Sequence, residues 1–141
     1  MTRCLLLIIL ASSLLGTVNT FTQQISSAHA GDQIQKDLIA RLVQLHANKV
    51  YTDYEDCTRL AFLSNERIVC AVLDNGLQPG LDRYFPYRAI VASAPHPFYV
   101  FRQGSPQSIL FEQAAAAQHI LYTRSLVDGY VIFDPAARVA T

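Results

Sequence analysis

The sequence predicts a small α/β domain: a mostly parallel sheet flanked by helices, with an antiparallel hairpin at one edge. Short runs of β-branched and aromatic residues alternate with segments whose apolar residues recur every three or four positions. Such alternation is typical of parallel strands joined by helices. Hydrophobic residues make up 51% of the 141 residues and charged residues only 16%, which suffices for one core and excludes a disordered chain.

Residues 1–30 have the features of an export signal. Cys4–Leu15 is almost entirely apolar, and its length fits a signal-peptide core rather than the ~20 residues of a bilayer span. Ala28-His-Ala30 has the small-x-small pattern of a cleavage site. The alternative is an uncleaved anchor over residues 5–21. Because Arg3 precedes the apolar run, both alternatives place residues 31–141 outside the cytoplasm, as a single periplasmic or membrane-anchored domain.

The charge and cysteine content narrow the function classes. Eleven basic residues balance eleven acidic ones, so no strong field attracts nucleic acid. Two cysteines, Cys57 and Cys70, remain in the body. In an oxidising compartment this pair favours a disulfide over a metal site, which needs more ligands. Two buried free thiols are the alternative.

The first half of the body predicts two helices and two strands. Apolar residues at helical spacing indicate a helix over residues 34–46, with Asn48 as its left-handed cap. Val50-Tyr51 is a short strand, and Thr52-x-x-Glu55 is a capping box for the next helix. Arg67–Leu73 is a strand ending at the Asn75-Gly76 turn, and its unbroken apolarity predicts a central position in the sheet.

The second half predicts two helices and three strands. Pro86 suits the first position of a helix over Tyr87–Ala94, and Phe98–Phe101 is the next strand. Ser105-Pro106 begins a helix that runs to about residue 117. Strands over residues 120–123 and 130–133 flank Asp128-Gly129, the turn of the edge hairpin.

No catalytic motif is present. The chain has no phosphate-binding glycine loop, nucleophile elbow, zinc-ligand spacing or CxxC pair. The histidines are scattered, and no base lies near Ser64, Ser105 or Ser108 in the sequence. We therefore expect no catalytic residues, no metal and no cofactor, although a hydrolase triad assembled in space is a third-ranked hypothesis.

Two aromatic and charged clusters follow the first two predicted strands. Ligands of parallel α/β sheets bind beyond the carboxyl ends of strands, so these clusters are the candidate binding site. Tyrosine rings stack on sugars or lipid headgroups, and an arginine fork holds a phosphate or carboxylate. The candidate residues are Tyr51, Asp53, Tyr54, Arg59, Arg83, Tyr84 and Tyr87.

A purely structural role for the same residues is the alternative. In that interpretation Asp53 caps a helix and Arg59 pairs with Asp56 or Asp82. The tyrosines would then be half-buried packing groups. Convergence of Tyr54, Arg59, Arg83 and Tyr87 on one open concavity would favour a site.

The order of these motifs resembles the soluble C-terminal extracytoplasmic domain of bacterial polytopic membrane glycosyltransferases. Those enzymes are relatives of dolichyl-phosphate-mannose mannosyltransferases and aminoarabinose transferases. The resemblance covers about half of the body and is carried by Tyr51, Asp53, Tyr54, Cys57, Arg59, Leu60, Phe62, Ser64, Glu66, Arg67, Cys70, Arg83, Tyr84, Tyr87 and Tyr99-Val-Phe101.

The sequence departs from that family at two points. Glu55 stands where the resemblance leads us to expect a tryptophan, which alters any stacking surface. The catalytic acidic residues of the family lie in its many-helix membrane domain, which this chain does not contain. The resemblance therefore implies a non-catalytic accessory domain that recognises a glycan, a lipid-linked sugar or a membrane glycosyltransferase partner. An independent secreted ligand-binding protein is the second hypothesis.

Overall fold

The computed structural model describes residues 31–136. The expected signal peptide or anchor at residues 1–30 lies outside the described residues. The chain divides into two units, Met1–Ile34 and Gln35–Thr141. The first is described only over residues 31–34, which are helical. Within residues 31–136, no helix is both long enough and apolar enough to cross a membrane.

The second unit is an α/β domain built on one five-stranded mixed sheet. Helix α1 covers residues 31–44 in the described range. It is followed by β1 (Lys49–Thr52), α2 (Tyr54–Leu63), β2 (Val69–Val72), α3 (Phe85–Ala92), β3 (Phe98–Arg102), α4 (Pro106–Ala117), β4 (Tyr122–Val127) and β5 (Tyr130–Pro135). The strand order is β2-β1-β3-β5-β4. Strands β2, β1 and β3 are parallel to one another. Strand β5 runs antiparallel to both of its neighbours, β3 and β4. The predicted fold class, a parallel core with an antiparallel edge hairpin, is confirmed.

The helices pack on both faces of the sheet. On one face, Val91 of α3 contacts Val69 and Ala71 of β2, and Phe111 of α4 packs in the core cluster around Tyr99. On the other face, Cys57 of α2 is bonded to Cys70 of β2. Because neighbouring residues of a strand point to opposite faces, α2 and α3 lie on opposite sides of β2.

The predicted cap of α4 and the predicted hairpin turn are both present. Ser105 caps α4, its hydroxyl oxygen accepting a hydrogen bond from the Ser108 N–H at 3.2 Å. Asp128 (φ 43°) and Gly129 (φ 83°) both have left-handed backbones, as a two-residue hairpin turn requires.

Two predicted caps were wrong. Helix α1 ends before Asn48, and the left-handed residue is His46 (φ 55°), because the Ala47 N–H already reaches the Leu42 carbonyl. Thr52 belongs to β1, so the cap of α2 is Asp53, whose carboxylate accepts from the Asp56 N–H at 2.8 Å.

The predicted central position of β2 was also wrong, because β2 is an edge strand and β1 lies between β2 and β3. All four residues of β2 are buried because helices cover both faces and a loop covers part of the edge. In that loop, the Gly80 N–H donates to the Val72 carbonyl at 2.9 Å. The Asp82 carboxylate accepts from the Val72 N–H at 2.8 Å. An edge strand protected in this way has the composition of a central one.

The Cys57–Cys70 disulfide, predicted from the sequence, is present. The two Cα atoms are 5.6 Å apart, which is within the range that a disulfide requires. The bond fastens α2 to the edge strand β2 independently of side-chain packing.

We predict that reducing this disulfide lowers the free energy of unfolding by ~3 kcal/mol, because the closed loop no longer restricts the unfolded chain. Urea denaturation of the oxidised protein and of the same protein in a reductant measures the difference without substituting any residue. Equal midpoints for the two forms would contradict the prediction, as would alkylation of both thiols without prior reduction.

Candidate functional site

An open cleft of about 890 Å³ runs along the edge of β2 between α2 and α3. We call it the α2–α3 cleft. Helices from opposite faces of the sheet form its walls, and residues of β2 lie at its base. Its lining residues are Tyr54, Cys57, Thr58, Ala61, Phe62, Asn65, Glu66, Cys70, Val72, Asp82, Arg83, Tyr84, Pro86, Tyr87 and Ile90.

Four of the seven candidate binding residues line this cleft: Tyr54, Arg83, Tyr84 and Tyr87. They come from two segments separated by about thirty positions in the chain. The segments meet because β1 and β2 are parallel neighbours, so both chain exits lie at the same end of the sheet.

The tyrosines present two perpendicular aromatic faces. The rings of Tyr84 and Tyr87 meet edge to face, with centroids 4.8 Å apart and an interplanar angle of 80°. Tyr84 is 57% exposed, and Tyr54 on the opposite wall is 46% exposed. Exposed rings in a concave surface offer stacking area for a ligand at little cost in side-chain entropy.

A loop with left-handed backbone brings a carboxylate to the cleft. Asn65 (φ 50°) is the ordinary left-handed residue of a Schellman cap, in which the Glu66 N–H donates to the Ala61 carbonyl at 2.9 Å. Glu66 (φ 59°) is also left-handed, and this costs ~1–3 kcal/mol in a residue with a side chain. Its carboxylate lies near the Tyr87 hydroxyl. Burial raises the pKa of Tyr87, and the nearby Glu66 carboxylate raises it further.

The two other charged residues of the cleft differ in their partners. The Asp82 carboxylate is bound by the Arg88 guanidinium and by the Val72 N–H, so it serves the loop that covers β2. Arg83 is exposed and has no ion pair or side-chain hydrogen bond within residues 31–136. Arg83 is therefore the cation of the cleft that remains available to an anionic ligand.

The other three candidate residues lie outside the cleft. The Tyr51 ring stacks on Tyr99 in the core, with centroids 5.1 Å apart. Asp53 caps α2. Arg59 pairs with Glu55 at 3.0 Å on the exposed face of α2, rather than with Asp56 or Asp82. The predicted convergence therefore holds for Tyr54, Arg83 and Tyr87 and fails for Arg59.

The serines considered for a hydrolase serve local structure. The Ser64 hydroxyl accepts from the Ile68 N–H at 3.1 Å, and the Ser105 hydroxyl caps α4. The Ser108 hydroxyl donates to the Ser105 carbonyl at 2.9 Å. Among residues 31–136, no group of three or more His, Cys, Asp or Glu side chains is arranged to hold a metal ion.

A buried polar network lies at the carboxyl ends of the two interior parallel strands, β1 and β3. The Asp56 carboxylate is fully buried. One of its oxygens, Oδ1, accepts from the Tyr130 hydroxyl at 2.7 Å and from the Gln35 amide at 3.1 Å. The other, Oδ2, lies 3.5 Å from the Arg102 guanidinium. The Gln35 amide also donates to the Tyr130 hydroxyl at 2.9 Å, which closes a ring of contacts.

Burial and the charge of Asp56 shift the pKa values of Tyr130, Arg102 and Asp53. Burial raises the pKa of Tyr130, and its hydrogen bond to Asp56 raises it further. The nearby Asp56 carboxylate raises the pKa of Arg102. Burial also raises the pKa of Asp53, with a smaller contribution in the same direction from the charge of Asp56.

Sequence reasoning missed this network. The available signal was helical spacing, because Asp56 is four residues before the buried Leu60 and Gln35 is three before the buried Leu38. A polar side chain at such a position must find a buried partner.

Comparison of the chain with protein-family models, with curated proteins and with solved structures finds no match.

We predict that Tyr130→Phe lowers the free energy of unfolding by about 1.5–3 kcal/mol, because the buried Asp56 carboxylate loses its shortest hydrogen bond. Chemical denaturation measures this loss. The matched control is Tyr122→Phe, whose half-buried ring packs against Phe111 and whose hydroxyl makes no hydrogen bond within the described residues. Equal stability of the two variants would contradict a structural role for the network.

Proposed function

We propose that this chain is an exported, non-catalytic binding domain whose α2–α3 cleft recognises the sugar-phosphate head of a lipid-linked sugar. In this proposal it is an accessory domain related to the soluble tail of a membrane glycosyltransferase. The observation that carries the proposal is the meeting of perpendicular tyrosine rings with an unpaired arginine in one open cleft.

Each part of a sugar phosphate has a complementary group in the cleft. The apolar face of a sugar ring stacks on Tyr84 or Tyr54. The Arg83 guanidinium donates two parallel hydrogen bonds to phosphate oxygens. Glu66, which lies near Tyr87 in the cleft, accepts hydrogen bonds from sugar hydroxyls. A volume of about 890 Å³ suits a ligand of one or two sugar rings with a phosphate.

The second hypothesis, an independent secreted binding protein, uses the same cleft without a glycosyltransferase partner. An adjacent reading frame that encodes the membrane helices of such an enzyme would favour the accessory domain. The third hypothesis, a small hydrolase, loses support because the candidate serines are engaged in caps and turns.

We predict that Arg83→Ala weakens binding of a short-chain isoprenyl-phosphate sugar about tenfold or more, because a charge-assisted bidentate contact is lost. Thermal stability should not change, since Arg83 has no ion pair within the described residues. Isothermal titration calorimetry and thermal unfolding of the same samples measure both quantities.

The matched control is Arg59→Ala, which removes an exposed arginine of α2 that lies outside the cleft. This variant should bind like the parent protein. A large loss of stability in Arg83→Ala would identify a structural residue and end the functional claim, as would unchanged affinity.

We also predict that the purified chain transfers no sugar from a polyprenyl-phosphate donor. The cleft offers stacking and anion-binding groups, whereas the resemblance places the catalytic acidic residues of the family in a many-helix membrane domain. A radiolabelled donor incubated with the protein measures turnover. Transfer that persists after membrane enzymes are rigorously removed would refute the prediction.

A further inference from the structure

Large exposed apolar side chains line the α2–α3 cleft or are next to its lining residues in the chain. The most exposed are Phe62 at 80%, Phe85 at 74% and Leu81 at 72%. Phe62, Tyr84 and Ile90 line the cleft itself. Leu81 and Phe85 adjoin the cleft residues Asp82 and Tyr84 in the chain. We call Phe62, Leu81, Tyr84, Phe85 and Ile90 the apolar rim.

Such a rim is unfavourable in water. A single exposed apolar residue is common on protein surfaces, but a group of them beside one concavity marks a contact surface. The stability of the domain gives no reason for it, because the core is already filled by residues such as Tyr99, Phe111 and Phe133. The rim is therefore a candidate contact surface for a partner outside the described domain.

We propose that the apolar rim docks on the surface of a lipid bilayer. Phenylalanine and tyrosine beside an arginine is the side-chain combination that favours the headgroup region, where rings enter the acyl boundary and the cation meets lipid phosphates. Arg83 is exposed beside the rim residue Tyr84, while the acidic cleft residue Asp82 is paired with Arg88.

The sequence supplies a second reason to choose a bilayer as the occupant. The apolar run Cys4–Leu15 directs the chain to a membrane, whether it is a signal peptide or an anchor. With the rim in the headgroup layer, the cleft opens toward the membrane surface, where the head of a membrane lipid can enter it.

This proposal does not depend on the identity of the ligand, because docking needs only the rim and ordinary phospholipids. The test therefore uses vesicles of phosphatidylcholine and phosphatidylglycerol without any sugar lipid. Failure of docking leaves sugar-phosphate binding untouched, and failure of sugar-phosphate binding leaves docking untouched.

The chain contains no tryptophan, so one substitution creates a unique fluorescent reporter. The full-length Phe62→Trp protein is mixed with vesicles whose acyl chains carry bromine, a contact quencher of tryptophan fluorescence. We expect its emission to shift to the blue and to fall about twofold relative to vesicles without bromine, because the ring enters the acyl boundary. Phe62 is so exposed that the larger ring requires no repacking.

The matched control is Leu121→Trp, because Leu121 is also 80% exposed but precedes β4 at the opposite edge of the sheet. Its fluorescence should not respond to the vesicles. Equal quenching of the two proteins, or no quenching of Phe62→Trp, would overturn the proposal. A blue shift of Phe62→Trp without vesicles, growing with protein concentration, would show contact with a second copy and overturn it as well.

Discussion

The Asp56 carboxylate joins α1 and α2 to the sheet near the carboxyl ends of the parallel strands. Removing a charge of this kind from water costs several kcal/mol, which only close partners can offset. Gln35 of α1, Tyr130 of β5 and Arg102 of β3 supply those partners, so three other elements meet on one side chain of α2. Loss of a partner leaves the buried carboxylate less well solvated, so the network favours this packing of the four elements over others.

The polar network and the cleft lie at different points of the sheet. In open α/β sheets, ligands usually bind where neighbouring strands send their connections in opposite directions. Here that point lies between β1, which leads to β2, and β3, which leads to the β4–β5 hairpin. The contact between Asp56 and Arg102 spans it. The open concavity lies instead beside the edge strand β2, where the Cys57–Cys70 disulfide fixes α2 next to the loop that carries Arg83.

Local features of the fold could be read from the sequence, whereas long-range pairings could not. Helix spacing, the hairpin turn and the convergence of Tyr54 with Arg83 follow from rules that act over a few residues or over one strand-helix-strand unit. The edge position of β2 escaped prediction because a loop and two helices bury it as thoroughly as a central strand. The contact of Asp56 with Tyr130 joins positions 74 residues apart, and no local pattern encodes such a partner.

The claim that the α2–α3 cleft is the binding site is tested most directly by nuclear magnetic resonance. A short-chain isoprenyl-phosphate sugar is titrated into the isotope-labelled protein, and backbone amide shifts are followed residue by residue. We expect saturable shifts centred on Asn65, Glu66, Arg83 and Tyr87, with little change at Arg102. Shifts centred on Arg102 and the ends of β1 and β3, or no saturable shift at all, would contradict the account.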